Sequence, residues 1–73
     1  MKRDVVVDGR WLEPPEPMER VLLALDCLRA GERVRFLIHR EPLPLYPILE
    51  RMGWRYEVRL LEDGCFEILI QAS

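Results

Sequence analysis

The residues of this chain with chemical potential fall into two proline-rich segments and two isolated cysteines. The first segment, Gly9 to Pro17, carries the carboxylates Glu13 and Glu16 and the aromatic Trp11 among three prolines. The second, His39 to Tyr46, holds the single histidine beside Arg40 and Glu41, with Tyr46 at its end. His39 with Glu13, Glu16 or Glu41 would make a weak general base or part of a metal site, because imidazole titrates near neutrality. A strand-end histidine paired with one carboxylate accounts for the same residues more simply. One histidine without cysteine company is a poor metal centre. The expectation is therefore no catalytic residue, no metal and no cofactor.

Arg40 suits an anion at a helix N-terminus or, with somewhat more weight, a surface ion pair with Glu41 or Glu13. Trp11 and Tyr46 suit a partner-binding anchor, since Trp, Tyr and Arg dominate interface energetics. Ring packing over proline to close a small core explains them equally well. Cys27 and Cys65 are far apart and lack metal-type spacing. Cys27 falls opposite the apolar stripe of its helix and Cys65 follows a hairpin glycine. Neither is at a helix N-terminus, where a thiol is activated, so both read first as inert.

The elements that must position these groups follow from periodicity. Val5-Val6-Val7, ended by Asp8-Gly9, reads as a first strand. Leu12 to Pro17 cannot lie inside a helix or a central strand, because proline lacks the donor. Pro17 can open a helix, and Met18, Val21, Leu22, Leu25 and Leu28 share one face of it, with Gly31 as its stop. Arg33 to His39 alternates, placing Val34, Phe36 and Ile38 on one side. A short helix from Leu45 to Met52 ends at Gly53. Strands over Trp54 to Leu61 and Cys65 to Gln71 flank Glu62-Asp63-Gly64, a hairpin signal.

The order β-α-β-α-β-β predicts an α/β (α+β) two-layer sandwich: a four-stranded mixed sheet with two helices on one face. Strands two and four are the most apolar and belong at its centre. Val21, Leu25, Phe36, Ile38, Leu49 and Ile68 are the expected core. Leu37 and Leu69, with Cys65, point to the other face and predict an exposed apolar stripe there. Ligands gather beyond the carboxyl ends of such strands. That edge would bring Trp11, Glu13, Glu16, His39, Arg40, Glu41 and Tyr46 together.

The stretch from Val7 to Glu32 resembles the TusA/SirA-like sulfur-carrier family. Asp8 ends the first strand, Pro14-Pro15-Glu16-Pro17 stands six residues on where the family has Cys-Pro-x-Pro, and Gly31-Glu32 matches its Gly-Glu pair. Glu41-Pro42 is similar to its Asp-Pro. The resemblance implies the family's fold over nearly the whole chain. Pro14 occupies the position of the carrier cysteine, however, and Trp11 replaces a small glycine. Pro44-Leu45-Tyr46-Pro47 resembles an uncharacterised branch of the fold that lacks this cysteine. Proline has no thiol, so the sulfur-relay role does not carry over to position 14.

Composition bounds the rest. A chain of 73 residues holds one domain, residues 1–73, with 49% apolar and 33% charged residues. Net charge −2, with ten arginines spread among 13 acids, argues against nucleic acid, which needs clustered cations. Abundant ion-pairing residues and the absence of Asn and Thr fit a heat-stable protein, and a GC-rich genome alone would give the same bias. No run approaches a membrane span. Met1-Lys2-Arg3 is followed by too few apolar residues for a signal peptide, so a cytoplasmic setting is expected. Two functions remain open. The favoured one is a non-enzymatic module that docks a partner protein through the proline-rich edge and Trp11, Arg40 and Tyr46. The other is a redox or sulfur-handling protein acting through Cys27 or Cys65, or a small-ligand site at His39. An uncovered edge strand would also permit a homodimer.

Overall fold

The computed structural model describes residues 3–72; Met1 and Lys2, which open the basic start of the chain, and Ser73 lie outside the described residues. Strands β1 (Arg3–Asp8), β2 (Glu32–Ile38), β3 (Trp54–Leu60) and β4 (Phe66–Ala72) form one sheet in the order β1-β2-β4-β3. β1 and β2 are parallel, and β4 runs antiparallel to both β2 and β3. Helices α1 (Glu16–Asp26) and α2 (Leu45–Arg51) make the two crossovers. Both crossovers advance in the same direction along the sheet, so a common hand sets both helices on one face.

That face is the core. Val34, Phe36 and Ile38 of β2 and Ile68 and Ile70 of β4 meet Val21 and Leu25 of α1 and Leu45 and Leu49 of α2. The six core residues expected from the sequence are all buried. Phe36 lies opposite Val7 on one side and Ile68 on the other, at the centre of the mixed sheet.

Helix α1 starts at Glu16 behind Pro15, with Pro17 in its first turn, where a missing N–H is tolerated. It stops at Asp26, earlier than Gly31 suggests. The Cys27 N–H divides between the carbonyls of Leu23 and Ala24, and Leu28 N–H bonds to Leu25, so the last turn tightens and the chain leaves. Gly31 instead sits in the turn into β2, where its carbonyl accepts the Arg3 N–H at 3.0 Å. The hairpin between β3 and β4 has a three-residue loop: Leu61 N–H donates to Cys65 and Gly64 N–H to Leu61. Gly64, at φ 87°, takes the left-handed position such a loop requires.

The opposite face differs from expectation. Leu69 and Cys65 are only 9% and 3% exposed, and Leu37 is half-buried, so the predicted apolar stripe does not exist as a free surface. The register sets Arg35 and Glu57 on either side of Leu69, and Arg59 beside Glu67. Glu67, 2% exposed, is held by Arg35 and by Arg59 at 3.3 Å. Arginine stems lie along apolar surface while their heads reach carboxylates. Arg33–Asp4 and Arg10–Asp8 continue the same covering toward β1.

Candidate functional site

Gly9 begins the site. Its N–H extends the parallel ladder to the Leu37 carbonyl at 2.7 Å. A Cβ there would stand 2.9 Å from a Phe36 ring carbon and 3.1 Å from Pro17 Cβ, both in buried residues. Only glycine lets the chain turn this closely over the core.

Two residues on, Trp11 adopts φ 65°, a costly conformation for a large side chain. It is held there by the loop after β2. The Trp11 N–H donates to His39 Nδ1 at 2.9 Å, and the two rings stack at 4.9 Å. Because Nδ1 accepts, the neutral imidazole carries its proton on Nε2. Next to this contact, Arg10 grips Asp8 with two side-chain bonds and a backbone N–H, which draws the Asp8 carboxyl down to about 2.

In the first turn of α2, just past the other loop, Tyr46 donates to Glu41 Oε2 at 3.1 Å and stacks on Tyr56 at 5.0 Å, while Tyr56 donates to Glu50. Burial, then the bond to Glu41, pushes the Tyr46 phenol up to about 12, and the bond to Glu50 raises Tyr56 as well. A phenol whose folded pKa exceeds its unfolded value of about 10 stabilises the fold below that pH. The contribution is lost as pH rises from about 10 to 12. Alkaline titration of tyrosine absorbance should thus show both tyrosines ionising late, with unfolding easier across that window. Tyr46→Phe should remove most of that pH dependence.

Between the two loops lies a cleft of about 160 Å³. Pro14, Pro15, Pro17 and Met18 form one wall, with Leu12 beside them. Phe36 and Ile38 form the floor, and His39, Arg40, Glu41 and Pro42 the other wall. Its surface is almost entirely apolar.

Of the seven residues expected at this edge, His39, Arg40 and Glu41 line the cleft. Trp11 covers His39 from the rim and is 76% exposed. Tyr46 stands behind Glu41. Glu13 and Glu16 do not join them: both are exposed, and Glu16 reaches toward Arg20 at 4.0 Å. Among the described residues no carboxylate pairs with His39, and its Nδ1 is taken by the Trp11 backbone N–H. Arg40 has no ion pair among the described residues. Met18 and the floor were missed as site residues, since alternation and the helical stripe assigned Met18, Phe36 and Ile38 to the core alone.

A family model for an uncharacterized conserved protein, DUF2249, matches residues 6–72. The chain belongs to the DUF2249 family. Neither a curated protein nor a solved structure matches it. The matched span of this DUF2249 chain takes in both loops and every wall of the cleft.

The remaining chemistry of the DUF2249 chain is sparse. Both cysteines are free thiols. Cys27 is exposed at the C-cap of α1, at the opposite end of the helix from the proline loop. Cys65 is buried, and burial, then Asp63, pushes its thiol up. Neither lines the cleft. Among the described residues no three His, Cys, Asp or Glu side chains are grouped to hold a metal ion. No helix among them is long and apolar enough to cross a membrane.

Proposed function

We propose that this chain is a non-enzymatic protein-interaction module on a TusA/SirA-like fold, without sulfur-carrier activity, that takes an apolar side chain of a partner protein into the cleft. The apolar cleft between the proline loop and the loop after β2 carries this reading. Its volume of about 160 Å³ is below the roughly 300–1,000 Å³ of small-molecule sites and suits one anchoring side chain. Exposed Trp11 and unpaired Arg40 stand at its edges, two of the residue types that contribute most to interfaces. Pro14 on its wall has no nucleophile, and neither cysteine reaches it.

The β-α-β-α-β-β order with both helices on one face supports the TusA/SirA-like assignment, together with the spacing of Asp8, Pro14 and Gly31-Glu32. The proposed setting is the cytoplasm, where free thiols persist. Thiol chemistry is the weaker alternative, because Cys65 is buried and neither cysteine lines the cleft. The test is capture from native cell extract with three baits. The native chain and Cys27→Ser/Cys65→Ser should retain the same protein, whereas Trp11→Ala/Arg40→Glu should bind it about thirtyfold less tightly. Loss in the cysteine variant alone would move the function to the thiols.

A further inference from the structure

The edge strand β3 carries an unassigned surface. Val58 and Leu60 are 39% and 70% exposed on the helix side of the sheet, where α2 covers only the Tyr56 end. Glu57, on the other side of the strand, has no ion pair among the described residues, and the Arg59 side chain is 63% exposed despite its contact with Glu67. The strand contains no proline to block further pairing.

We propose that β3 pairs antiparallel with β3 of a second copy of this chain about a two-fold axis at Val58, continuing the sheet across both. A two-fold that keeps helices on one face must pair residues of like parity. Three such registers overlap well. Centred on Glu57, the pairing sets Glu57 against Glu57 and Arg55 against Arg59, like charges throughout. Centred on Tyr56, it brings both α2 helices to one point, because each is stacked over its own Tyr56.

Centred on Val58, it sets Glu57 opposite Arg59 twice, Val58 against Val58, and Leu60 against Tyr56 twice. Opposite charges meet, and the two exposed apolar side chains are covered. The same construction fails on the other edge: β1 centred on Val6 sets Asp4 against Asp8. The partner of β3 is therefore a second copy, recognised by a self-complementary Glu-Tyr/Leu-Arg register (the isologous contact of a two-fold dimer).

Light scattering of the native chain at rising concentration should show the mass double from 8.7 kDa. Glu57→Arg, an exposed change, sets arginine against arginine twice and should weaken association about tenfold or more. In a Cys27→Ser background, Val58→Cys should form a disulfide-linked dimer under oxidised glutathione, and Met52→Cys should not. Native chain that stays monomeric up to millimolar concentration overturns the proposal. So does a dimer that survives Glu57→Arg and fails to cross-link at position 58.

Discussion

Phe36→Ala is expected to cost roughly 3–5 kcal/mol of stability, with Leu25→Ala at roughly 2–5. Phe36 is 1% exposed and Leu25 3%, and both belong to the single core cluster. Phe36 bridges β1 and β4 through the sheet, supports Gly9 and floors the cleft. A chain this small has no second core to compensate, and total stabilities of about 5–15 kcal/mol are usual. The alanine variant should sit close to unfolding at room temperature. Chemical denaturation reads the loss directly. A change under about half a kcal/mol for both variants, the size of ordinary surface effects, would remove them from the core.

The second large effect concerns sulfur. Incubated with a cysteine desulfurase and cysteine, the native protein should keep its mass at the carrier position, because Pro14 offers no nucleophile. Pro14→Cys should react with a thiol probe about tenfold faster than Cys27, through a larger thiolate fraction, and faster still than buried Cys65. The first turn of α1 gives the reason and its limit. Glu16 N–H already donates to the Glu13 carbonyl, Pro17 has no N–H, and Glu19 N–H donates to Pro15. Only the Met18 donor and the positive helix pole remain to favour an anion beside position 14. Exposed Glu13 and Glu16 oppose it. Sulfur added to the native chain would mean that Cys27 or Cys65 has taken the carrier role.

Much of the fold was legible because proline, glycine and apolar period agreed with one another. Val34, Phe36 and Ile38 alternate, Val21 and Leu25 share a helical face, and Gly53, at φ 82°, stops α2 as its position suggests. Gly31 misled because the tightened turn at Cys27 and Leu28 closes the helix before it is reached. The far face of the sheet was misjudged for another reason. Alternation tells which side Leu69 and Cys65 occupy, but their cover comes from arginines on neighbouring strands, and cross-strand register sets that.

The candidate site was legible as a place more than as a set of contacts. Strand order brings the two loops together, and Trp11, His39, Arg40 and Glu41 lie side by side there. The bond from a backbone N–H of Trp11 to His39 depends on a left-handed residue that no side-chain pattern announces. Likewise, short proline loops leave Phe36 and Ile38 reachable from above, so residues that build the core also build the cleft.

The central claim, docking at the cleft, has a direct reporter in the two tryptophans. Trp11 covers the cleft rim and Trp54 begins β3 on the far edge of the sheet. Their indole N–H signals can be followed by nuclear magnetic resonance as the captured partner is titrated into labelled protein. The Trp11 signal should shift or broaden in proportion to occupancy while Trp54 stays in place. A partner that binds and moves Trp54 while leaving Trp11 untouched would contradict the claim.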